Sequence, residues 1–96
     1  MFKLKFLPSA LREWKKLAPL IKEQLRKKLK ERLGNPRIPS SKLYGFSDVY
    51  KIKLRSSGYR LVYEVNDSDV TVLVIAVGKR EKGKVYSNSK NRLTDS

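Results

Sequence analysis

The chain has 96 residues, 40% of them hydrophobic, which is enough for one domain with a modest core but not for two. It contains neither cysteine nor histidine, which excludes disulfides, cysteine-ligated metal sites and histidine as a general base. A formal net charge of +14 exceeds the roughly 2 to 8 that solubility requires. It predicts binding to a polyanion, such as nucleic acid, an anionic membrane or an acidic protein.

The sequence offers no segment for export or membrane insertion. The start, MFKLKFLPS, alternates apolar and basic residues and lacks the continuous apolar stretch of a signal peptide. The longest apolar run, residues 70–77, is far shorter than the roughly 18 residues of a membrane span. We therefore expect a cytoplasmic protein that does not contact a membrane, with one domain over residues 1–96.

The first half of the chain predicts a strand followed by two helices. Residues 2–7 alternate as a strand does, and Ser9 is the expected N-cap of the first helix. Pro19 ends that helix and suits the first turn of a second, over residues 20–33. Both helices are rich in Lys and Arg, which fits either a solvated face or a surface that contacts phosphates. The apolar face of the second helix repeats every four residues, at Ile21, Leu25, Leu29 and Leu33.

The second half predicts three strands, at about residues 48–54, 59–66 and 69–78. The last is apolar on both faces and is expected at the centre of the sheet. The polar remainder of the chain should form a short helix or a tail. The predicted fold is therefore α+β: strand, two helices and three strands, with a mainly antiparallel four-stranded sheet and the helix pair on one face.

The hairpin YKIKLRSSGYRLVYEV, residues 50–65, concentrates positive charge on one face of this sheet. Because side chains alternate along a strand, Lys51 and Lys53 share a face, and the turn brings Arg60 to the same side. Val62 is the apolar residue on that face, and we expect the C-terminal segment to cover it. The helix pair should cover the opposite face, which carries Ile52, Leu54, Leu61 and Tyr63.

Like charges on neighbouring strands cost roughly a few tenths to 1 kcal/mol per pair, so this arrangement indicates a function. A cationic face bordered by Tyr50, Tyr59 and Tyr86 suits a phosphate backbone with a base stacked beside it. The nine acidic residues are scattered and form no pair for two-metal catalysis. RNA can still be cut without a metal if a lysine, its pKa lowered by neighbouring cations, deprotonates the 2′-hydroxyl. Passive RNA binding remains the alternative.

Besides the hairpin, the sequence contains the segments VIAVGKRE, VYS, LREWKKL, QLRKKL, NPRI and KLYG. Together with the hairpin, these segments resemble the RelE toxins of bacterial toxin–antitoxin systems, within the wider RelE/ParE superfamily. The resemblance extends from Leu11 to about Leu93. Tyr44, after KL, departs from it, because relatives commonly carry a basic residue there.

The resemblance implies a metal-independent, cofactor-free endoribonuclease that enters the ribosomal A site and cuts the mRNA there. It also implies a partner, an acidic RelB-like antitoxin, and contact with operator DNA only through the complex with that antitoxin. Lys51 and Arg60 match the cations that stabilise the cleaved phosphate, and Lys53 matches the proposed general base. Arg80 matches the residue that stabilises or protonates the leaving oxygen, and Tyr86 matches the aromatic ring that stacks on an mRNA base. The rival within the superfamily is a ParE-like inhibitor of DNA gyrase, which the paired lysines disfavour.

Overall fold

The computed structural model describes residues 1–79 and 83–94. A short 3₁₀ turn, Pro39–Ser41, interrupts the connection between the second helix and the second strand. The α+β order predicted from the sequence is confirmed, and the C-terminal segment is a helix. The elements are β1 (Lys3–Phe6), α1 (Pro8–Lys15), α2 (Pro19–Gly34), β2 (Val49–Leu54), β3 (Tyr59–Asn66), β4 (Thr71–Lys79) and α3 (Lys84–Thr94).

The four strands form one mixed sheet in the order β1-β4-β3-β2. The pairs β2/β3 and β3/β4 are antiparallel, as expected for consecutive strands. β1 pairs in parallel with β4, with Lys3 opposite Thr71, because the helices carry the chain away before it returns. The apolar last strand is therefore central, as predicted, and β1 and β2 are the two edges.

Proline determines where both helices begin. α1 starts at Pro8, after Leu7 in extended conformation and without a side-chain cap. The prediction of Ser9 as N-cap is therefore wrong, since Ser9 lies inside the first turn. Proline suits the first helical position because its φ is fixed near the helical value and its missing N–H would have no intrahelical partner. α2 begins at Pro19 for the same reason, as predicted.

Two apolar clusters cover the two faces of the sheet. The first joins α1 and α2 to the sheet and includes Leu25, Leu29 and the four hairpin residues predicted for that face. The second lies under α3 and joins Val62 to Val85, which confirms that the C-terminal segment covers Val62. A register shift between Val62 and Tyr63 places both Ile75 and Ala76 in this second cluster. In the described part of the chain, no helix has the length and apolar character needed to cross a membrane.

A buried polar network at Tyr63 connects α2 to the hairpin. The Tyr63 hydroxyl donates to the Pro36 carbonyl at 2.6 Å and accepts from Arg32 Nη1 at 2.8 Å. The same Arg32 nitrogen donates to the Lys51 carbonyl at 3.3 Å, and Nη2 donates to Ser41 Oγ at 3.2 Å. Burial raises the pKa of Tyr63 above its ordinary value, and the Arg32 hydrogen bond opposes this rise.

Replacing Tyr63 by phenylalanine is expected to destabilise the protein by about 1 to 2 kcal/mol at neutral pH, because two hydrogen bonds are lost at a buried site. The pKa of Tyr63 is higher in the folded than in the unfolded protein, so folding favours the neutral phenol. The resulting contribution to the free energy of unfolding is complete below pH ~10 and decreases as the pH rises above that value. The variant should lack this alkaline decline. Urea unfolding at pH 7 and above pH 10 measures both effects. Tyr44→Phe is the matched control, because Tyr44 is 91% exposed, and an equal loss there would contradict the prediction.

Candidate active site

The antiparallel register of the hairpin places Lys53 directly opposite Arg60. Directly opposite residues on one face have Cβ atoms about 4.5 to 5.5 Å apart, so the two cationic side chains leave the sheet side by side. Lys51 is opposite Val62, one step further along the same face. The prediction that Lys51, Lys53 and Arg60 share a face is therefore confirmed. Lys53 is exposed and Lys51 is half-buried.

Tyr86, in the first turns of α3, lies against Lys51. The Lys51 ammonium is 5.9 Å from the centroid of the Tyr86 ring, within the range of a cation–π contact. The ring belongs to the apolar cluster under α3, and its hydroxyl oxygen is buried. The part of Tyr86 that a ligand at the lysines could reach is therefore the ring and not the hydroxyl.

Arg60 is on the predicted face, but the residue is only 8% exposed. Arg60 pairs with Gly78 on β4. A Cβ atom at Gly78 would lie 3.0 Å from Cγ2 of Val85, which belongs to α3. α3 thus approaches the sheet closely at Gly78 and covers the face beside Arg60. Within residues 1–79 and 83–94, the ion pairs involve Arg26, Arg37 and Arg92, and none involves Arg60 or Lys51. A half-buried and a buried cation without an acidic partner in that part of the chain favour an anionic ligand.

An ion pair holds the C-terminal end of α3 against the sheet. Arg92 donates to both carboxylate oxygens of Glu13, at 2.8 and 3.1 Å, and to the Ile75 carbonyl at 2.8 Å. Glu13 Oε1 also accepts from the Val77 backbone N–H at 3.1 Å. β1 pairs with β4 only as far as Val74, so these bonds satisfy backbone groups of β4 beyond the end of β1. They join α1, β4 and α3.

The structure moves two of the predicted aromatic neighbours away from the cations. Tyr50 lies in the helix-side core, where its ring stacks on Tyr63 at 5.9 Å, and Tyr59 packs against the same core. The prediction that they border the cationic face is wrong, because period-two alternation puts Tyr50 with Ile52 and Tyr59 with Leu61. Tyr86 does join Lys51. Arg80, the fifth predicted site residue, lies outside the described residues.

Sequence reasoning missed Arg32, which holds the Lys51 carbonyl, and the pair Glu13 and Arg92, which holds α3. Arg32 precedes the last apolar residue of α2, and nothing in the periodicity distinguishes it from the other helix cations. Glu13 and Arg92 are 79 positions apart. Among the described residues, no group of three or more His, Cys, Asp or Glu residues is placed to hold a metal ion.

Comparison with known proteins gives a consistent family. Residues 4–83 match the family model described as ParE toxin of type II toxin–antitoxin system, parDE. The chain is 58% identical over 90 residues to the mRNA interferase toxin RelE of Escherichia coli K12, covering 94% of this chain and 95% of the relative. It is 51% identical to a putative RelE-like toxin protein of Escherichia coli, covering 96% and 97%.

The fold agrees with solved structures of the same relatives. A double mutant of E. coli RelE in the free state superposes with a TM-score of 0.89 at 55% identity, covering 96% of this chain and 97% of that one. The intact E. coli RelBE toxin–antitoxin complex matches with a TM-score of 0.82 at 57% identity, covering 85% and 100%. The family model alone names ParE, but the relatives that share more than half of the residues are RelE proteins. The chain therefore belongs to the toxin family of type II toxin–antitoxin systems, in its RelE branch.

Proposed function

We propose that the chain is a toxin that cleaves mRNA in the ribosomal A site and thereby inhibits translation. The observation that carries this proposal is the register of the hairpin, which sets Lys53 directly opposite Arg60 and beside Lys51 on one face. The chain that holds this arrangement is 58% identical to a protein named mRNA interferase toxin RelE.

The chemistry requires a base, cations for the phosphate and a group at the leaving oxygen. The base takes the proton of the 2′-hydroxyl, the 2′-oxygen forms a bond to the adjacent phosphorus, and the bond from phosphorus to the 5′-oxygen breaks. The 5′-oxygen then receives a proton, which leaves a cyclic phosphate on one fragment and a 5′-hydroxyl on the other. Lysine and arginine side chains can supply all of these functions.

The proposed catalytic residues divide these functions among them. Lys53, which is exposed, is the general base. Lys51 and Arg60 stabilise the charge on the pentacoordinate phosphate, and Arg60 has the planar guanidinium that binds phosphate oxygens in pairs. Arg80 stabilises or protonates the leaving oxygen. Tyr86 stacks on a base, a role that its buried hydroxyl and its ring beside Lys51 support.

The partners follow from charge and from the relatives. An acidic antitoxin is the proposed inhibitor, because the net charge of +14 favours an acidic protein and a relative is known in a RelBE toxin–antitoxin complex. Contact with operator DNA would occur only through that complex. The proposed targets, mRNA and the small-subunit RNA of the ribosome, support a location in the cytoplasm.

The proposed activity predicts strong cleavage of mRNA on programmed ribosomes and little cleavage of naked RNA, because the described site residues supply cations and one ring, which attract a free strand by charge without fixing which phosphate lies at Lys53. The measurement is mapping of mRNA ends in a translating extract with purified protein. An mRNA whose start codon is disabled is the matched control.

Cuts in codon register that disappear with the start codon support the proposal. Comparable rates on naked and ribosome-bound RNA would show that the ribosome is dispensable. Stalled translation with intact mRNA would mean passive binding, and inhibition of DNA gyrase without any cut would assign the ParE-like activity instead.

A further inference from the structure

A cationic groove lies between α2 and β2, the edge strand that carries two of the proposed catalytic lysines. The groove is open to solvent and has two adjoining parts, with volumes of about 650 Å³ and 350 Å³, and both are lined by Lys28, Lys53 and Arg55. We call the whole the basic groove. Its cations are Lys27, Lys28, Arg32, Lys51, Lys53 and Arg55.

The charge of the basic groove is strongly one-sided. Its six cations face a single acid among the described lining residues, Glu31. Two like charges 4 Å apart repel by roughly 1 kcal/mol in water and more beside protein, so an anionic ligand in the groove would reduce the repulsion among its cations. Lys27 and Lys28 belong to an exposed helix face, and solubility alone would explain their charge. Arg32 is half-buried, and its hydrogen bond to the Lys51 carbonyl connects the α2 side of the groove to the strand that carries Lys51 and Lys53.

The lining indicates which kind of polyanion fits. Leu54 is the one apolar residue among the described residues of the lining, and it is only 6% exposed. A protein partner needs apolar anchors at the centre of its interface, whereas a nucleic-acid backbone needs mainly cations and hydroxyls. The α2 side of the groove, from Gln24 to Arg32, is about 12 Å long at 1.5 Å per residue, enough for at least two phosphates.

We propose that the basic groove binds the sugar–phosphate backbone of the single-stranded RNA that continues from the scissile phosphate at Lys51, Lys53 and Arg60. The inference rests on the proposed function, because it extends the path of the RNA substrate from that site. Lys27 and Lys28 are its outer contacts and take no part in the chemistry. They position the strand by charge.

The test compares two double variants that remove the same charge. Lys27→Gln with Lys28→Gln alters the basic groove, and glutamine keeps a helix propensity close to that of lysine. Lys3→Gln with Lys5→Gln alters β1, the opposite edge of the sheet, where both lysines are exposed. Each double variant lowers the net charge of +14 by two. The probe is a fluorescent 20-nucleotide single-stranded RNA, titrated by anisotropy between 50 and 200 mM salt.

The groove variant should reduce the log–log salt slope by about 1.4, since each phosphate contact on a single strand contributes about 0.7. Between the two salt concentrations, the affinity of the wild type should therefore fall about sevenfold more than that of the groove variant. The β1 variant should keep the wild-type slope. If both variants lose the same amount of salt slope, the effect comes from net charge and not from the groove. If the groove variant keeps the wild-type slope, Lys27 and Lys28 contact no phosphate. Either result overturns the proposal.

Two further measurements separate this inference from the proposed function. In a translating extract, the groove variant should need a higher concentration for half-maximal mRNA cleavage but reach the wild-type rate at saturation. If the wild-type protein cuts no mRNA in the extract, the proposed function is overturned. The RNA titration still tests the groove in that case, because it measures binding and not cleavage. An acidic peptide that loses affinity for the groove variant while RNA does not would assign the groove to a protein partner and overturn the inference.

Discussion

Replacing Lys53 by alanine is expected to lower the single-turnover rate of mRNA cleavage on programmed ribosomes by roughly 10² to 10⁴, the usual effect of removing a general base. Lys53 is exposed and lies opposite Arg60, so it can reach a 2′-hydroxyl whose phosphate the neighbouring cations hold. Binding to the ribosome should change little, because one positive charge out of 23 is lost. Rapid-quench kinetics with saturating toxin measures the chemical step separately from binding.

The pH dependence distinguishes a base from a phosphate contact. A lysine acts as a base only when it is unprotonated, so the wild-type rate should rise with pH through neutrality and then level off. Lys53→Ala should remove this rise together with most of the rate. The control is Lys5→Ala, an exposed strand lysine on the opposite edge of the sheet, which should keep both the rate and the pH profile. A Lys53→Ala enzyme with the wild-type rate and slope would mean that another group carries the proton.

Local sequence pattern alone predicts part of the site that contains Lys53. Alternation along two strands joined by a short turn is enough to place Lys51, Lys53 and Arg60 on one face, and the structure confirms it. The same rule contradicts the prediction that Tyr50 and Tyr59 border the cations, since each alternates with the core residues. Residues that are close in the sequence of a strand point to opposite faces of the sheet, so Tyr50 does not lie beside the side chain of Lys51.

Other features depend on contacts that no local pattern contains. The parallel pairing of β1 with β4 joins segments almost 70 positions apart, and the register shift at Val62 puts consecutive residues Ile75 and Ala76 on one cluster. Both result from packing the whole sheet between two layers of helix. The burial of Arg60 is of the same kind, because α3 approaches the sheet closely at Gly78, which pairs with Arg60 and lies 18 positions away along the chain.

The Glu13–Arg92 ion pair was also beyond sequence reasoning, and it leads to a large expected effect on α3. α3 buries few side chains, Val85 and Ser89 among the described residues, so its attachment depends strongly on this pair. The pair supports two backbone groups of β4 as well, the Val77 N–H and the Ile75 carbonyl. Glu13→Ala removes the carboxylate and leaves the Val77 N–H without it, while alanine is at least as favourable in a helix as glutamate.

Glu13→Ala removes hydrogen bonds that are charged and partly buried, so it should lower the free energy of local opening of α3 by about 1 to 3 kcal/mol. Amide exchange in α3 should therefore be roughly 5- to 150-fold faster. Amides of α2, whose residues Leu25 and Leu29 are buried in the other core, should exchange almost as in the wild type. The measurement is hydrogen exchange followed for each helix at constant pH.

Arg26→Gln is the control, because its pair with Glu23 is exposed and contributes at most about 0.5 kcal/mol. If α3 exchanges no faster in Glu13→Ala than in Arg26→Gln, its apolar contacts alone hold it on the sheet. If it does exchange faster, Tyr86 moves with α3, and cleavage should weaken in the same variant, although the described hydrogen bonds of the Glu13 carboxylate are with Arg92 and Val77 and not with Lys51 or Lys53.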